Sequence, residues 1–448
     1  MALAALNDAH AHASGRPPLL NFPATPGLGG ASADIAAAAA CAQVLLRRYP
    51  NQYRFLDPAW ATWLEYFGLG PAGSAAEKAG RAFGDAVHAF GANDMTNAEA
   101  SGYVATGEPY THAIAPNEPM QGYAGAKWGN DDTHHLLATR VTGFPMPPGR
   151  ETDMTVNPDP HYVADFANTV ALGCLQRTAG MRTLEQEIIG IAWGYDGPQE
   201  LGTPPRLYLQ VVLAALDAIE ARMPGKLTLP DELAIVAGVG IAMADAGIDA
   251  WHYKYKATHM MWRPVLGIQR AVAGNGTAVP GWLPLGRPDT NGKGVGLTPN
   301  FPAYPSGHAT FGAAAFQLLR LFLVEKGVTS FNAKGLDKFS FDFVSDEFNG
   351  RNTDPRTMLP RDHLTLSYGS LWKAIVDNSV SRVYLGVHWQ FDGITKRNAA
   401  GTADEFGIPL TPDQLGKTGG VWLGAQIANQ IAPKLGIKPA TIAASKIP

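Results

Sequence analysis

Three short stretches in the second half of the chain constrain its fold more than any other feature. They are Lys256 followed after seven residues by Arg263-Pro264, then Pro305-Ser306-Gly307-His308, then Ser381-Arg382 followed by His388 and Asp392. Each sits where a predicted helix starts or stops, so a fold that uses them together must bring several helix ends to one point. Three fixed cations, two imidazoles, a hydroxyl, a glycine amide and a carboxylate make a pocket for a tetrahedral oxyanion, because each oxygen of such an ion needs a charge-assisted donor. Chemistry centred on phosphate or a phosphate mimic is the first reading.

Seven residues are two helical turns, so Lys256 and Arg263 project from one face if the helix begun near 231 persists through Trp262. Tyr253, Met260, Met261 and Trp262 crowd that pair with apolar bulk, whereas Lys254 is read as pointing elsewhere, to the surface. In the second stretch a proline-rich loop runs into a strongly helical segment. Ser306 takes the cap position there, and Gly307 and His308 the first turn, where free amides and the helix dipole favour an anion. In the third, one continuous helix would turn Arg382 and His388 about 240° apart, so the break at Gly386 is what lets both face one point. Asp392, one turn after His388, can accept from its ring and fix the tautomer. Any one stretch alone reads equally well as a cap, a solvated face or a core histidine; the conjunction carries the signal.

Apolar spacing and capping signals predict helices near 33–48, 76–92, 161–180, 183–193, 205–223, 231–255, 307–326, 364–385, 388–398 and 419–433. No long stretch alternates as strands do, so the expected class is all-α with long ordered loops rich in the chain's 50 Gly and 34 Pro, as at 16–33, 105–130, 143–160 and 276–305. Gly202-Thr203-Pro204-Pro205 suggests an organisation into an N-terminal helical half, 1–200, and a C-terminal helical bundle, 201–448, that carries the site. The formal charge of −4 over 448 residues gives no footprint for nucleic acid or an anionic membrane. The most apolar window, Leu233 to Trp251, contains Asp245 and Asp249 and reads as a buried helix. The N-terminus lacks a basic region followed by an apolar one, so no secretory signal is expected and the compartment stays open. Cys41 and Cys174 make no disulfide framework.

These residues resemble the superfamily of vanadium-dependent haloperoxidases and type 2 phosphatidic acid phosphatases, whose shared pattern is K-x6-R-P, P-S-G-H and S-R-x5-H-x3-D. The likeness to the haloperoxidase branch extends through Trp193-Gly194-Tyr195-Asp196, Gly202 to Arg206, Phe301 to Tyr304 and Gly386 to Asp392, and so covers roughly 190–400. The resemblance implies two four-helix bundles with vanadate in the core of one, and phosphate in its place when vanadate is absent. It implies His388 bonded to vanadium, with Lys256, Arg263, Ser306, Gly307 and Arg382 holding the oxygens. His308 would serve as acid-base, Asp196 would pair with Arg382, and Asp392 and Phe301 would stand behind. The implied reaction is oxidation of halide by hydrogen peroxide to hypohalous acid, with Lys256 polarising the peroxide and a small organic acceptor taking the halogen. Phe301 stands where chloroperoxidases of the family resemble it, while Tyr253 departs from the Trp they carry three residues before the lysine. Chloride, bromide and iodide therefore all stay open, as does a homo-oligomer.

A soluble acid phosphatase is the alternative, with His388 as nucleophile, Asp392 orienting it and His308 protonating the leaving group. A non-enzymatic anion binder is a third.

Overall fold

The computed structural model describes residues 1–70, 72–91, 102–130, 135–150, 158–176, 181–198 and 200–448. Its helices are α1 (Ala2–Ala13), α2 (Ala33–Arg48), α3 (Tyr53–Tyr66), α4 (Ala75–Phe90), α5 (Pro160–Leu172), α6 (Leu184–Ala192), α7 (Pro204–Arg222), α8 (Leu229–Tyr255), α9 (Pro264–Gln269), α10 (Gly307–Glu325), α11 (Leu371–Tyr384), α12 (Gln390–Gly393), α13 (Gly420–Ile431) and α14 (Pro439–Ala444). Strands β1 (Phe341–Phe343) and β2 (Leu366–Tyr368) pair antiparallel, as do β3 (Lys396–Arg397) and β4 (Asp404–Glu405). The expected all-α class holds, with the strands confined to loop ornaments.

Helix α10 is largely apolar and buried on every side from Gly307 to Leu323, as the central helix of a bundle is. It packs against α7, α8, α11 and α13. The contact with α13 is backbone to backbone: a Cβ on Gly420 would stand 2.6 Å from the Ser306 carbonyl oxygen, and one on Gly424 2.1 Å from that of Thr310. Helices α8 and α10 are long and apolar enough to cross a membrane by composition, yet 72% and 94% of their most apolar windows are buried inside this fold, as core helices are. Before residue 200, α1, α2 and α4 share a small cluster of Ala5, Ala9, Ala36, Ala40, Phe83 and Val87, while α6 packs on α11 and α5 on α9 and α11. Cys41 and Cys174 are free thiols.

Several expected boundaries shift for identifiable reasons. The helix begun near 231 does not persist through Trp262; it ends at Tyr255, with Lys256 as an extended cap, and the Trp262 amide donates to the Tyr110 carbonyl instead of continuing the spiral. Residues 366–368 of the expected 364–385 helix pair as β2, and α11 starts at Leu371, where Ser370 accepts from the Lys373 amide and Asp337 from those of Leu371 and Trp372. The expected 388–398 helix is one turn, Gln390–Gly393, and His388 lies in the loop before it. Helices α1, α3, α9 and α14 were not expected. Helix α1 is built largely of Ala, Asn, Asp and His without an apolar stripe, and α3 contains Pro58. Residue 92 of the 76–92 segment, residues 177–180 of 161–180 and residues 151–157 of the 143–160 loop lie outside the described residues.

The break at Gly386 is forced. Its φ is +70°, and a Cβ there would stand 2.3 Å from the Gly173 carbonyl oxygen. Gly436 has a similar φ of +75° but open space around it. Gly436→Ala should therefore cost about 1 kcal/mol, and Gly386→Ala about 3 kcal/mol or more, since strain and overlap add. Comparing the thermal midpoints of the two variants checks this; equal losses would mean that the Gly173 contact is not close.

Candidate active site

Four chain segments meet where α8 ends and α10 begins. The Ser306 amide donates to the Asp392 carbonyl oxygen at 2.7 Å, and the Phe391 amide donates to Asp165 of α5 at 2.9 Å. These bonds tie the α12 turn to the start of α10. The Ser306 hydroxyl caps α10 by accepting from the Ala309 amide, which leaves its proton to donate. As the first helical residue, Gly307 has no carbonyl one turn back to bond.

Arg263, Ser306, Gly307, His308, Arg382, His388, Asp392 and Asp196 are brought together as expected, and all are buried or nearly so. Lys256 is not. It is exposed beyond the end of α8, with its ammonium over the Tyr253 ring. Lys254 takes the inner position: wholly buried, it donates to the carbonyl oxygens of Pro302 (2.9 Å), Ala303 (3.1 Å) and Pro305. The reason is the helix end. With α8 stopping at Tyr255, the two-turn geometry that joined Lys256 to Arg263 does not exist, and the lysine two residues earlier faces inward. Burial, and then Arg263, push the Lys254 ammonium well below its ordinary range.

The guanidinium groups are held by fixed acceptors but not satisfied. Arg263 donates through Nε to the Phe301 carbonyl oxygen and through Nη1 to that of Val387, both at 2.7 Å, and its Nη1 stands 2.9 Å from His388 Nε2. Arg382 Nη2 donates to Asp196 Oδ2. Burial works to raise the Asp196 carboxyl, but Arg382 and the other cations beside it hold it below the usual range. Arg263 Nη2 and Arg382 Nε and Nη1 are buried without a hydrogen-bond partner. A buried donor left so costs about 1–3 kcal/mol, and three charged ones in one place are unusual unless an anion completes them.

The two histidines carry opposite tautomers. Nδ1 of His388 is 3.0 Å from Asp392 Oδ2, which also accepts from the Trp389 amide at 2.9 Å. With Nδ1–H donating, Nε2 keeps its lone pair, and Arg263 Nη1 donates to it. His308 Nε2 lies 3.0 Å from the Tyr195 carbonyl oxygen, which can only accept, so its lone pair is on Nδ1, 4.0 Å from Asp196. Burial, then Arg263 and Lys254, lower His388 far below its usual range; burial, then Arg382, lower His308 to about 3. Burial pushes Asp392 up against the opposing effect of Lys254.

A cavity of about 290 Å³ is lined by Asp196, Gly307, His308, Arg382 and His388 together with Trp128, Trp251, Phe301, Phe311 and prolines. Sequence reasoning missed Lys254, Trp128 and Trp251. A signal for two of them existed, because Trp251 and Lys254 are three apart in the last turn of one helix and so share a face.

The family model described as VCPO second helical-bundle domain matches residues 234–403, which hold every residue of this cluster except Asp196. Vanadium chloroperoxidase of Curvularia inaequalis is 30% identical over 436 residues, covering 82% of this chain and 69% of that protein. The fold is similar to the apo-type crystal structure of a bacterial vanadium-dependent chloroperoxidase (TM-score 0.63, 13% identity, 100% of this chain and 93% of that one). It is also similar to a bacterial vanadium-dependent iodoperoxidase (TM-score 0.58, 16% identity, 97% and 89%).

The unsatisfied guanidinium donors predict that a tetrahedral oxyanion stabilises the folded protein. Inorganic phosphate at about 100 times its dissociation constant should add about 2.7 kcal/mol and raise the thermal midpoint. Arg382→Ala should remove most of that shift. A midpoint that ignores phosphate and vanadate alike would contradict an oxyanion site.

Proposed function

The chain belongs to the vanadium haloperoxidase family, and on that premise we propose that it binds vanadate and oxidises halide with hydrogen peroxide to hypohalous acid. The observation that carries the reading is the set of buried guanidinium N–H groups without partners beside a histidine whose Nε2 bears a lone pair. That donor set fits the group: His388 Nε2 would bind vanadium, and Arg263, Arg382, Ser306 and the Gly307 amide would hold oxygens. Bound vanadate would supply a Lewis-acid centre for peroxide activation with no change of oxidation state. The net reaction consumes hydrogen peroxide, halide and a proton and yields hypohalous acid and water.

Lys254 rather than Lys256 is the lysine of this proposal. Its three protons go to carbonyl oxygens of the 302–305 loop, so it holds that loop in place and acts on the anion by its charge. Counted from Lys254, the residue three before is Trp251, so the departure noted at Tyr253 disappears. Asp392 keeps Nε2 of His388 free of its proton. His308, neutral and with its lone pair on Nδ1, would take a proton from arriving peroxide. The relatives do not favour the phosphatase alternative with His388 as nucleophile.

His388→Ala should abolish both vanadate retention, read by metal analysis, and triiodide formation from iodide and peroxide; undiminished activity would sink the assignment. Lys254→Met should slow turnover about thirtyfold or more, some 2 kcal/mol for one preorganised charge, and Lys256→Met should not. The reverse ranking would restore Lys256.

The depressed His308 sets a pH profile. The neutral, proton-accepting form prevails above its pKa, so the peroxide Michaelis constant should be flat near neutral pH and rise only in acid. A neighbouring anion favours the charged ring and starts that rise somewhat above pH 3. His308→Gln should lose the rise. If parent and variant share one profile, His308 only lines the wall.

A further inference from the structure

Helix α12 is a single turn, Gln390–Gly393, and a helix of that length does not hold itself in water. It carries Asp392 and directly follows His388, so whatever fixes the turn also fixes the histidine. The amides at its start have no carbonyl one turn back and need other acceptors. The Trp389 amide donates to Asp392 Oδ2 at 2.9 Å, and the Asp392 amide to the Trp389 carbonyl oxygen at 3.2 Å. The amides between them, of Gln390 and Phe391, both go to Asp165, that of Phe391 at 2.9 Å from Oδ2.

Asp165 lies on α5, 226 residues before Phe391 in the chain. It is wholly buried, and its partners are the two amides and the Thr169 hydroxyl at 3.1 Å, with no cation among them. A carboxylate taken out of water without a cation costs more stability than capping one turn returns, so stability alone does not account for it. The rest of the α5 face is fitted to the same turn. Tyr162, Phe166 and Thr169 are buried beside Asp165, and the Tyr162 and Phe166 rings lie 5.2 and 6.1 Å from that of Trp389.

The arginines of the site are placed by other contacts: Arg382 by Asp196, and Arg263 by the Phe301 and Val387 carbonyl oxygens. An anion held by those charges tolerates a small displacement of α12. A bond from His388 Nε2 to a metal does not, because the lone pair has one direction. We propose that Asp165 is a positioning residue of this site: through the Gln390 and Phe391 amides it fixes the α12 turn, and with it Asp392 and the direction of His388 Nε2. The proposal rests on the haloperoxidase reading, in which that nitrogen binds vanadium.

The test titrates vanadate and inorganic phosphate calorimetrically into the parent, Asp165→Asn and Asp165→Ala proteins, each well below its thermal midpoint. The parent should bind vanadate more tightly than phosphate, because only vanadate gains the histidine bond. Asp165→Ala should weaken vanadate about tenfold to a hundredfold, as loss of an outer partner of a metal ligand does, and phosphate less than about threefold. Asp165→Asn keeps one acceptor oxygen in the same shape and should fall between the two; it carries the test if the alanine variant does not fold. Gly436→Ala should lower the thermal midpoint and leave both affinities at the parent's values, so lost stability alone does not give the pattern. If the Asp165 variants keep the parent's vanadate affinity, or lose vanadate and phosphate equally, Asp165 does not act through His388 and the proposal is overturned while the haloperoxidase reading stands. If the parent itself binds vanadate no more tightly than phosphate and forms no triiodide, the haloperoxidase reading fails and this proposal falls with it.

Discussion

Three buried cations, Lys254, Arg263 and Arg382, meet near the head of α10, and the loops around them are arranged by what those cations must bond. Lys254 is anchored on the carbonyl oxygens of Pro302, Ala303 and Pro305, and Arg263 on those of Phe301 and Val387. Two buried charges thus hold the 301–305 loop from one side, and the same loop delivers Ser306 to the head of α10. Prolines suit this loop because they contribute an acceptor without a donor of their own to satisfy. The cations are not neutralised by the protein: Asp196 and Asp392 stand against Lys254, Arg263 and Arg382, and three guanidinium nitrogens keep no partner. Holding such donors in fixed positions costs stability in the unloaded protein, and that cost is the physical content of a preorganised anion site.

The two histidines show how backbone placement sets chemistry. A carboxylate behind His388 fixes the proton on Nδ1, and a carbonyl oxygen behind His308 fixes it on Nε2. Identical side chains therefore carry their lone pair on Nε2 in one case and on Nδ1 in the other. The placement of His388 needs the α11 break. A straight helix through Gly386 would carry His388 away from Arg382, and the αL turn there is possible because Gly173 and Gly386 meet without side chains.

Much of this was legible in the sequence because it depends on local rules. Ser306 before an apolar helical run reads as a cap, Gly386 as a stop, and Asp392 four residues after His388 as its partner; the structure has all of these contacts. What could not be read was the length of α8. It ends at Tyr255, where the Lys256 amide turns back to the Tyr253 carbonyl oxygen, the chain beyond is held by a tertiary bond from the Trp262 amide to the Tyr110 carbonyl oxygen, and no glycine or proline marks the end before Pro264. An error of two residues in which lysine faces inward followed directly. The β2 strand that shortens α11 has the same origin, since its partner lies 25 residues earlier across a loop. Trp128 was illegible for a different reason: it sits in a Gly-rich loop with no periodicity, and only packing on Trp251 assigns it a face.

The shift from Lys256 to Lys254 also explains why cations and aromatic rings stand side by side at the cavity. Three residues along a helix bring side chains to one face, so a buried Lys254 places Trp251 beside it, with the ammonium 5.5 Å from the indole centroid. The same turn supplies the charge that faces the anion loop and the ring that begins the aromatic wall. A lysine at 256 would have brought Tyr253 instead, which packs on Phe144 and His259 and donates to the Val141 carbonyl oxygen. The apolar wall excludes water from the cations' outer side, and in that drier setting their field on an anion is less screened than at a surface. The register of a single helical end thus ties the charge at the cavity to the shape of its aromatic wall.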